Sequence, residues 1–295
     1  MVGEMRVDIP GSIAALQAAA RQFELRTKIY RFLFQTKGFE FDGYRTYTFE
    51  DDAGAIDWKA SRRAVELLVR QYREERDRKI IFIIDVSNSM VFGSTEKLKC
   101  EYVTELAAAL AHLIISYKDQ IGYILFNDEV VQYDVPRTGL QVFYRLIEAL
   151  QRPSIYRGDS RLDKALEFLF NYFSEKITAV FLISDFLHVT SREQTFLGYS
   201  QKRYETIALM VKDPRDLFLP DVSSEVVVED PRGNTQVVVN PRLAREHYES
   251  LAREQEKSVI HLLNSIGIDF LKLSTADPFA FPLSRFLRDR VQGGA

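Results

Sequence analysis

Cysteine is almost absent from this chain, with Cys100 the single one in 295 residues. A lone thiol cannot close an intramolecular disulfide or supply a cysteine zinc site, so a reducing cytoplasm is the expected location. Charge of one sign is not in excess either: 39 basic residues face 42 acidic ones, for a net charge of −3. No global field therefore draws the chain to nucleic acid or anionic lipid, and any partner must be recognised locally. Long apolar runs are missing, since none reaches the roughly 18 residues of a membrane span. The first residues lack the basic-then-apolar order of a signal peptide, and a soluble protein with no transmembrane segment is expected. The four histidines, His112, His188, His247 and His261, are scattered. Gly93-Ser94-Thr95-Glu96-Lys97 lacks the spacing of a phosphate-cradling loop. No G-x-S-x-G elbow surrounds Ser87, Ser89 or Ser160.

What is present is 46% hydrophobic residues, enough for a substantial core as one large or two small domains. The run Ile80-Ile81-Phe82-Ile83-Ile84 reads as a buried central strand. Further strands are expected over 121–126, 130–133, 178–183, 206–211 and 269–273, alternating with helices over 96–117, 141–150, 162–173 and 242–266. That alternation implies an α/β fold: a doubly wound, mostly parallel sheet of Rossmann type, flanked by helices. Residues 213–240 interrupt it with a β-hairpin insertion around Pro231-Arg232-Gly233-Asn234. Ahead of it, residues 1–76 read as an N-terminal helix over 13–34 and a small cap, with a helix over 61–73; residues 77–290 form the main domain. The 13–34 segment reads as a packed amphipathic helix, because its charges are too mixed for the clean basic face of a membrane-surface helix. Arg45, Asp51, Asp52, Asp57 and Trp58 form a dense polar cluster in the cap. The favoured reading is structural: the aspartates satisfy backbone donors and pair with Arg62 or Arg63 while Trp58 fills a core corner; the alternative is a docking surface anchored by Trp58.

The chemistry sits at Asp85-x-Ser87-x-Ser89, where the central strand emerges into a loop. Ligands of open α/β sheets collect at the carboxyl ends of strands. Magnesium and manganese prefer hard oxygen ligands in octahedral array, and one carboxylate with two hydroxyls leaves such an ion short of both charge and ligands. Asp185 repeats the placement of Asp85 at the end of another apolar strand. Ser160, in Gly158-Asp159-Ser160 before a helix, reads alone as an N-cap; beside two strand-end aspartates it reads as a ligand. The reading requires both aspartates on one rim of the sheet, with no lysine or arginine filling the space between them.

This combination resembles the von Willebrand factor A (VWA) domain and its metal-ion-dependent adhesion site (MIDAS). The resemblance implies one divalent cation held by Asp85, Ser87 and Ser89, by Ser160 at a position usually threonine, and by Asp185. Ser160-Arg161-Leu162-Asp163-Lys164-Ala165-Leu166 follows the family's T-D-L-x-x-A-L, with Arg161 replacing an acid and adding positive charge near the ion. More of the chain is similar to the bacterial DUF58 family: Gly38-Phe39-Glu40-Phe41-Asp42, Ile56-Asp57-Trp58 with Ser61 and Arg63, the D-x-S-x-S-M-x-F-G loop, Val211-Lys212-Asp213-Pro214-Arg215, and Thr275-Ala276-Asp277-Pro278-Phe279. It departs at Glu50, usually glycine, and at Gly54 and Ala55, usually basic. The transmembrane helices common ahead of this module in that family have no counterpart here.

The function these readings imply is a protein-binding adaptor in which Mg2+ or Mn2+ presents an open position to an Asp or Glu of a partner. Such a carboxylate gains a charge-assisted bond to an electron-poor ion. The DUF58 resemblance implies a MoxR-type AAA+ ATPase as partner, in chaperone-like remodelling or maturation of other proteins. An enzyme is not expected. A haloacid-dehalogenase-like phosphatase needs a second acid two residues after the strand-end aspartate, where Ser87 stands. A metal-dependent phosphoesterase and a metal-free scaffold are the alternatives.

Overall fold

The structure, a computed structural model, describes residues 5–22, 40–48, 56–64, 66–73, 78–173, 176–187, 189–222, 224–229 and 236–292. Its centre is β3 (Lys79–Asp85), whose apolar residues Ile80 to Ile84 are all fully buried. Side chains alternate across a strand, so Ile80, Phe82 and Ile84 enter one core and Ile81 and Ile83 the other. Burial of each such side chain is worth about 1.5–3 kcal/mol, which makes this strand the anchor of both faces.

β4 (Gln120–Phe126) and β6 (Ala179–Ser184) flank β3 in parallel. With β5 (Val130–Arg137), β7 (Glu205–Lys212) and β10 (Asp269–Ser274) they form a six-stranded sheet in the order β10-β7-β6-β3-β4-β5, parallel except for β5. At Gly122 a side chain would collide with the Asp134 carbonyl and with Ile81, so the close approach of β5 requires glycine there. One face of the sheet is covered by α1 (Ile9–Gln22), α3 (Lys99–Ser116), α4 (Leu140–Leu150) and α8 (Ala280–Gln292). The other is covered by α5 (Leu162–Tyr172), α6 (Ser191–Arg203) and α7 (Pro241–Ile266). Ala107, Ala108 and Ala111 are buried in α3 and let it lie close on the strands. The doubly wound, mostly parallel α/β sheet expected from the sequence is thus present. Strand order runs outward in opposite directions from β3 and from β6, so their boundary is the topological switch point where ligands of such sheets bind.

Two small units stand outside the sheet. β1 (Glu40–Thr46) and β2 (Leu68–Arg73) pair antiparallel, with α2 (Trp58–Ala64) between them in sequence. β8 (Val226–Glu229) and β9 (Gln236–Val239) form the expected hairpin. Several expectations need correction. The helix over 61–73 ends at Ala64, and Leu68–Arg73 is a strand, because pairing with β1 outweighs the helical preference of its arginines and glutamine. The N-terminal helix starts at Ile9: Asp8 accepts the Gly11 N–H and opens the first turn, in which Pro10 costs no hydrogen bond. Leu16 is buried and Ile9, Ile13 and Ala19 pack on the α3 and α8 core, so α1 is a packed helix; residues 23–34 lie outside the described residues. The polar α6 and the terminal α8 were not anticipated. The signal for α6 was Thr190 with Glu193, a capping box in which each side chain meets the other's backbone N–H.

Candidate metal centre

The strand end itself begins the site. Past Asp85 the chain stays paired for one residue, as Val86 N–H donates to the Phe126 carbonyl at 2.8 Å, then turns. Ser87 N–H donates back to Asp85 Oδ1 at 2.9 Å. The turn from Asn88 to Val91 brings the hydroxyls of Ser87 and Ser89 within 3.1 Å of each other. A second loop is fastened to the first by Arg157 N–H on the Val86 carbonyl at 3.2 Å and Asn88 N–H on the Gly158 carbonyl at 3.0 Å. Gly158 has φ +69°, and a side chain there would strike the Asp128 carboxylate. The turn after β4 steadies this loop too: Arg161 N–H donates to the Asn127 carbonyl and Asp159 N–H to Asp128 Oδ1. Ser160 is thereby aimed at Asp85, donating to Oδ2 at 2.7 Å, and does not cap α5. Ser184, at the end of β6, donates to the same Oδ2 at 2.7 Å.

Asp185 follows on the neighbouring strand, and Phe186 after it takes φ +49°, a turn that Gln255 Nε2 holds by donating to the Phe186 and Leu187 carbonyls. Asp185 Oδ1 accepts the Leu187 N–H at 3.2 Å. The sequence-predicted set of Asp85, Ser87, Ser89, Ser160 and Asp185 therefore meets at one rim, at the switch point. Burial, reinforced by the charge of Asp185, pushes Asp85 up to about 6, against the opposing hydrogen bonds from Ser160, Ser184 and Ser87. Burial also pushes Asp185 upward, but Lys99, Lys212 and the Ser89 hydroxyl outweigh it and hold Asp185 below the usual carboxylate range.

Lys99 is the residue that sequence reasoning missed. It opens α3, is 1% exposed, and its Nζ lies 2.7 Å from Asp185 Oδ2 and 3.2 Å from both oxygens of Asp216, in the turn after β7. A lysine thus lies against Asp185 and bridges it to Asp216, while the hydrogen bonds given for Asp85 all come from serines, so no contact sets the ammonium between Asp85 and Asp185. Burial lowers the Lys99 ammonium, yet Asp185 and Asp216 outweigh it and raise its pKa. Burial lowers that of Lys212, with Asp185 and Asp216 opposing. Helical spacing alone carried no signal for Lys99; its role depends on a contact 86 residues away. Ser184 was passed over because it preceded the aspartate and read as the last strand residue.

The donor set of two carboxylates and three hydroxyls, all oxygen, fits a small hard cation in kind. Among the described residues no three His, Cys, Asp or Glu side chains group as a metal set, so carboxylates alone cannot complete a shell. Arg161 does not bear on the ion as a free charge, because its guanidinium forms a two-bonded pair with Asp163 at 2.9 Å. Asp163 also meets Arg192 at 3.1 Å. His188 lies outside the described residues.

The polar cluster of the cap is separate. Asp57 Oδ1 accepts the N–H groups of Lys59 and Ala60 and so caps α2. Trp58, however, is 65% exposed, which overturns its expected place in a core corner. A cleft of about 530 Å3 in the same unit is lined by Tyr44, Asp57, Lys59, Arg63 and Leu68. Asp51 and Asp52 lie outside the described residues.

The model of the family described as "Protein of unknown function DUF58" matches residues 43–258. The chain belongs to the DUF58 family. The uncharacterized protein Rv1480 of Mycobacterium tuberculosis is 28% identical over 255 residues, covering 84% of this DUF58 chain and 78% of that protein. The uncharacterized protein MAV169 of Mycobacterium avium is 30% identical over 112 residues, 38% of this chain and 66% of the other. Among solved structures, an aerotolerance-related membrane protein of Bacteroides fragilis is similar at 14% identity and a TM-score of 0.47, over 73% of this chain and 99% of that one. A von Willebrand factor type A structure from Catenulispora acidiphila is similar at 13% identity and a TM-score of 0.41, over 76% and 43%. No helix among the described residues is long and apolar enough to cross a membrane.

Proposed function

We propose that this chain is a divalent-cation-dependent protein-binding module. Asp85, Ser87, Ser89, Ser160 and Asp185 would hold Mg2+ or Mn2+, and an aspartate or glutamate of a partner protein would complete the shell. The observation that carries this reading is the convergence of three separate loops, so that Asp85 is hydrogen-bonded by Ser160 and Ser184 at 2.7 Å and lies close enough to Asp185 to feel its charge. Two buried carboxylates at one rim repel each other, and a cation between them relieves that repulsion. When bound, the ion supplies a Lewis-acidic docking point for a carboxylate. The chain's own part is to fix the hydroxyls and leave one face accessible. The resemblance to DUF58 proteins makes a MoxR-type AAA+ ATPase the partner we propose, acting with this module in chaperone-like remodelling or maturation of other proteins, in the cytoplasm and without catalysis by this chain.

The Lys99–Asp185 pair favours a second reading, a metal-free scaffold in which the lysine neutralises Asp185 and serines satisfy Asp85. Calorimetric titration with Mg2+ and with Mn2+ separates the two. Binding with about one site, abolished in Asp85→Ala, supports the module; silence at millimolar cation rejects it. Capture of the purified ATPase should then vanish in EDTA and in Ser89→Ala, with circular dichroism unchanged. A phosphatase screen with Asp85→Ala as control tests the phosphoesterase alternative at the same crevice.

A further inference from the structure

Lys99 stands where helix electrostatics disfavour it. The first turn of a helix carries partial positive charge and attracts acids, yet α3 begins with a lysine buried to 1% exposure. Its ammonium is committed to Asp185 at 2.7 Å and Asp216 at 3.2 Å, and it lies 5.8 Å from the centre of the Phe92 ring, a wall of the loop that carries Ser87 and Ser89. Lys212, 3% exposed, acts on the same two aspartates. Lys99 and Lys212 thus offset part of the negative charge that Asp85, Asp185 and Asp216 would present to an incoming ion.

We propose that Lys99 is a built-in counter-cation that sets the affinity of this site: it occupies an oxygen of Asp185 and holds divalent-ion binding weak. The inference rests on the cation-dependent reading above. A divalent ion arriving at Asp185 meets the lysine across one carboxylate, and at such separations in a buried site like charges interact strongly. Binding then requires Asp185 to share its charge between two cations. Lys99 shifts occupancy to higher free concentrations of the ion, where a bare pair of aspartates would bind it more tightly. It is a positioning and tuning residue, touching the ligand Asp185 and acting on the ion through it.

The test is calorimetric titration of Mg2+ alone and Mn2+ alone into the full chain, Lys99→Met and Lys99→Met/Asp216→Asn. The double variant removes the lysine together with one of its acids, keeps the overall charge balance, and protects the experiment if the single variant fails to fold. Both variants should bind at least tenfold more tightly than the parent, and their thermal midpoints should rise more on adding cation. A lysine that merely props Asp185 in place would give the opposite direction, because freeing the carboxylate would weaken binding. If the parent binds and the variants bind equally or less well, the counter-cation role is overturned while the metal site stands. If only the variants bind, Lys99 takes the ion's place in the natural chain: the role of Lys99 is supported and the cation-dependent function fails. If none binds, both fall together.

Discussion

Asp119 offers the cleanest measure of buried charge in this fold. It precedes β4 at the rim opposite the candidate site, is 4% exposed, and its Oδ1 accepts the Arg78 N–H at 3.1 Å, tying the start of β3 to the start of β4. Its Oδ2 is buried with no hydrogen-bond partner. Burial pushes the carboxyl up to about 7 from 3.8, with the Arg78 N–H only partly opposing. Between about pH 4 and pH 7 the folded chain therefore holds a proton that the unfolded chain has released. The unfolded state binds fewer protons, so this group's contribution falls as pH rises through that window. A shift of about 3 units corresponds to about 4 kcal/mol at 1.36 kcal/mol per unit. Asp119→Asn keeps the Oδ1 acceptor and removes the charge, at a cost of about 1–3 kcal/mol for an amide left without a partner. The net expectation is a gain of about 1–3 kcal/mol at pH 8 and a loss of about 1–3 kcal/mol at pH 4, where the parent is already neutral and only the cost of the amide remains. Urea unfolding at both pH values reads it. A gain equal at the two pH values, or absent at both, refutes the argument.

Ser184→Ala removes a hydroxyl from Asp85 and should cost about 1.5–3 kcal/mol, the range for a hydrogen bond to a charged group; a loss below 0.5 kcal/mol by the same titration would show that Asp85 does not need it. Gly158→Ala places a side chain at φ +69° and against Asp128. It should lose more than the ~1–2 kcal/mol that a left-handed backbone alone costs, and an unchanged midpoint would contradict the packing of the Ser160 loop. Trp58→Ala should change stability by less than about 0.5 kcal/mol, since the ring is 65% exposed; its intrinsic emission should be that of a water-exposed indole, and a blue-shifted spectrum in the isolated chain would deny that exposure.

The apolar runs at 80–84 and 178–183 determined by themselves that strands would lie in the middle of a sheet, because a segment apolar on both faces has nowhere else to go. The first ended in Asp85 and the second in Ser184-Asp185, and the resulting pair of strand-end carboxylates was legible before any coordinates, as was the hydroxyl of Ser160. Pairing and packing decided the rest. Leu68–Arg73 became a strand because β1 lay beside it, and α6 formed around a capping box whose Glu193 also takes the Leu162 N–H at the start of α5. Trp58 turned outward although its size suggested a core. Lys99 is the sharpest case: linear sequence places a lysine at a helix start, and only the meeting of α3 with the ends of β6 and β7 sets that charge against Asp185 and Asp216. Periodicity records which face of an element is apolar, whereas a buried charge takes its meaning from partners that the chain brings near only by folding.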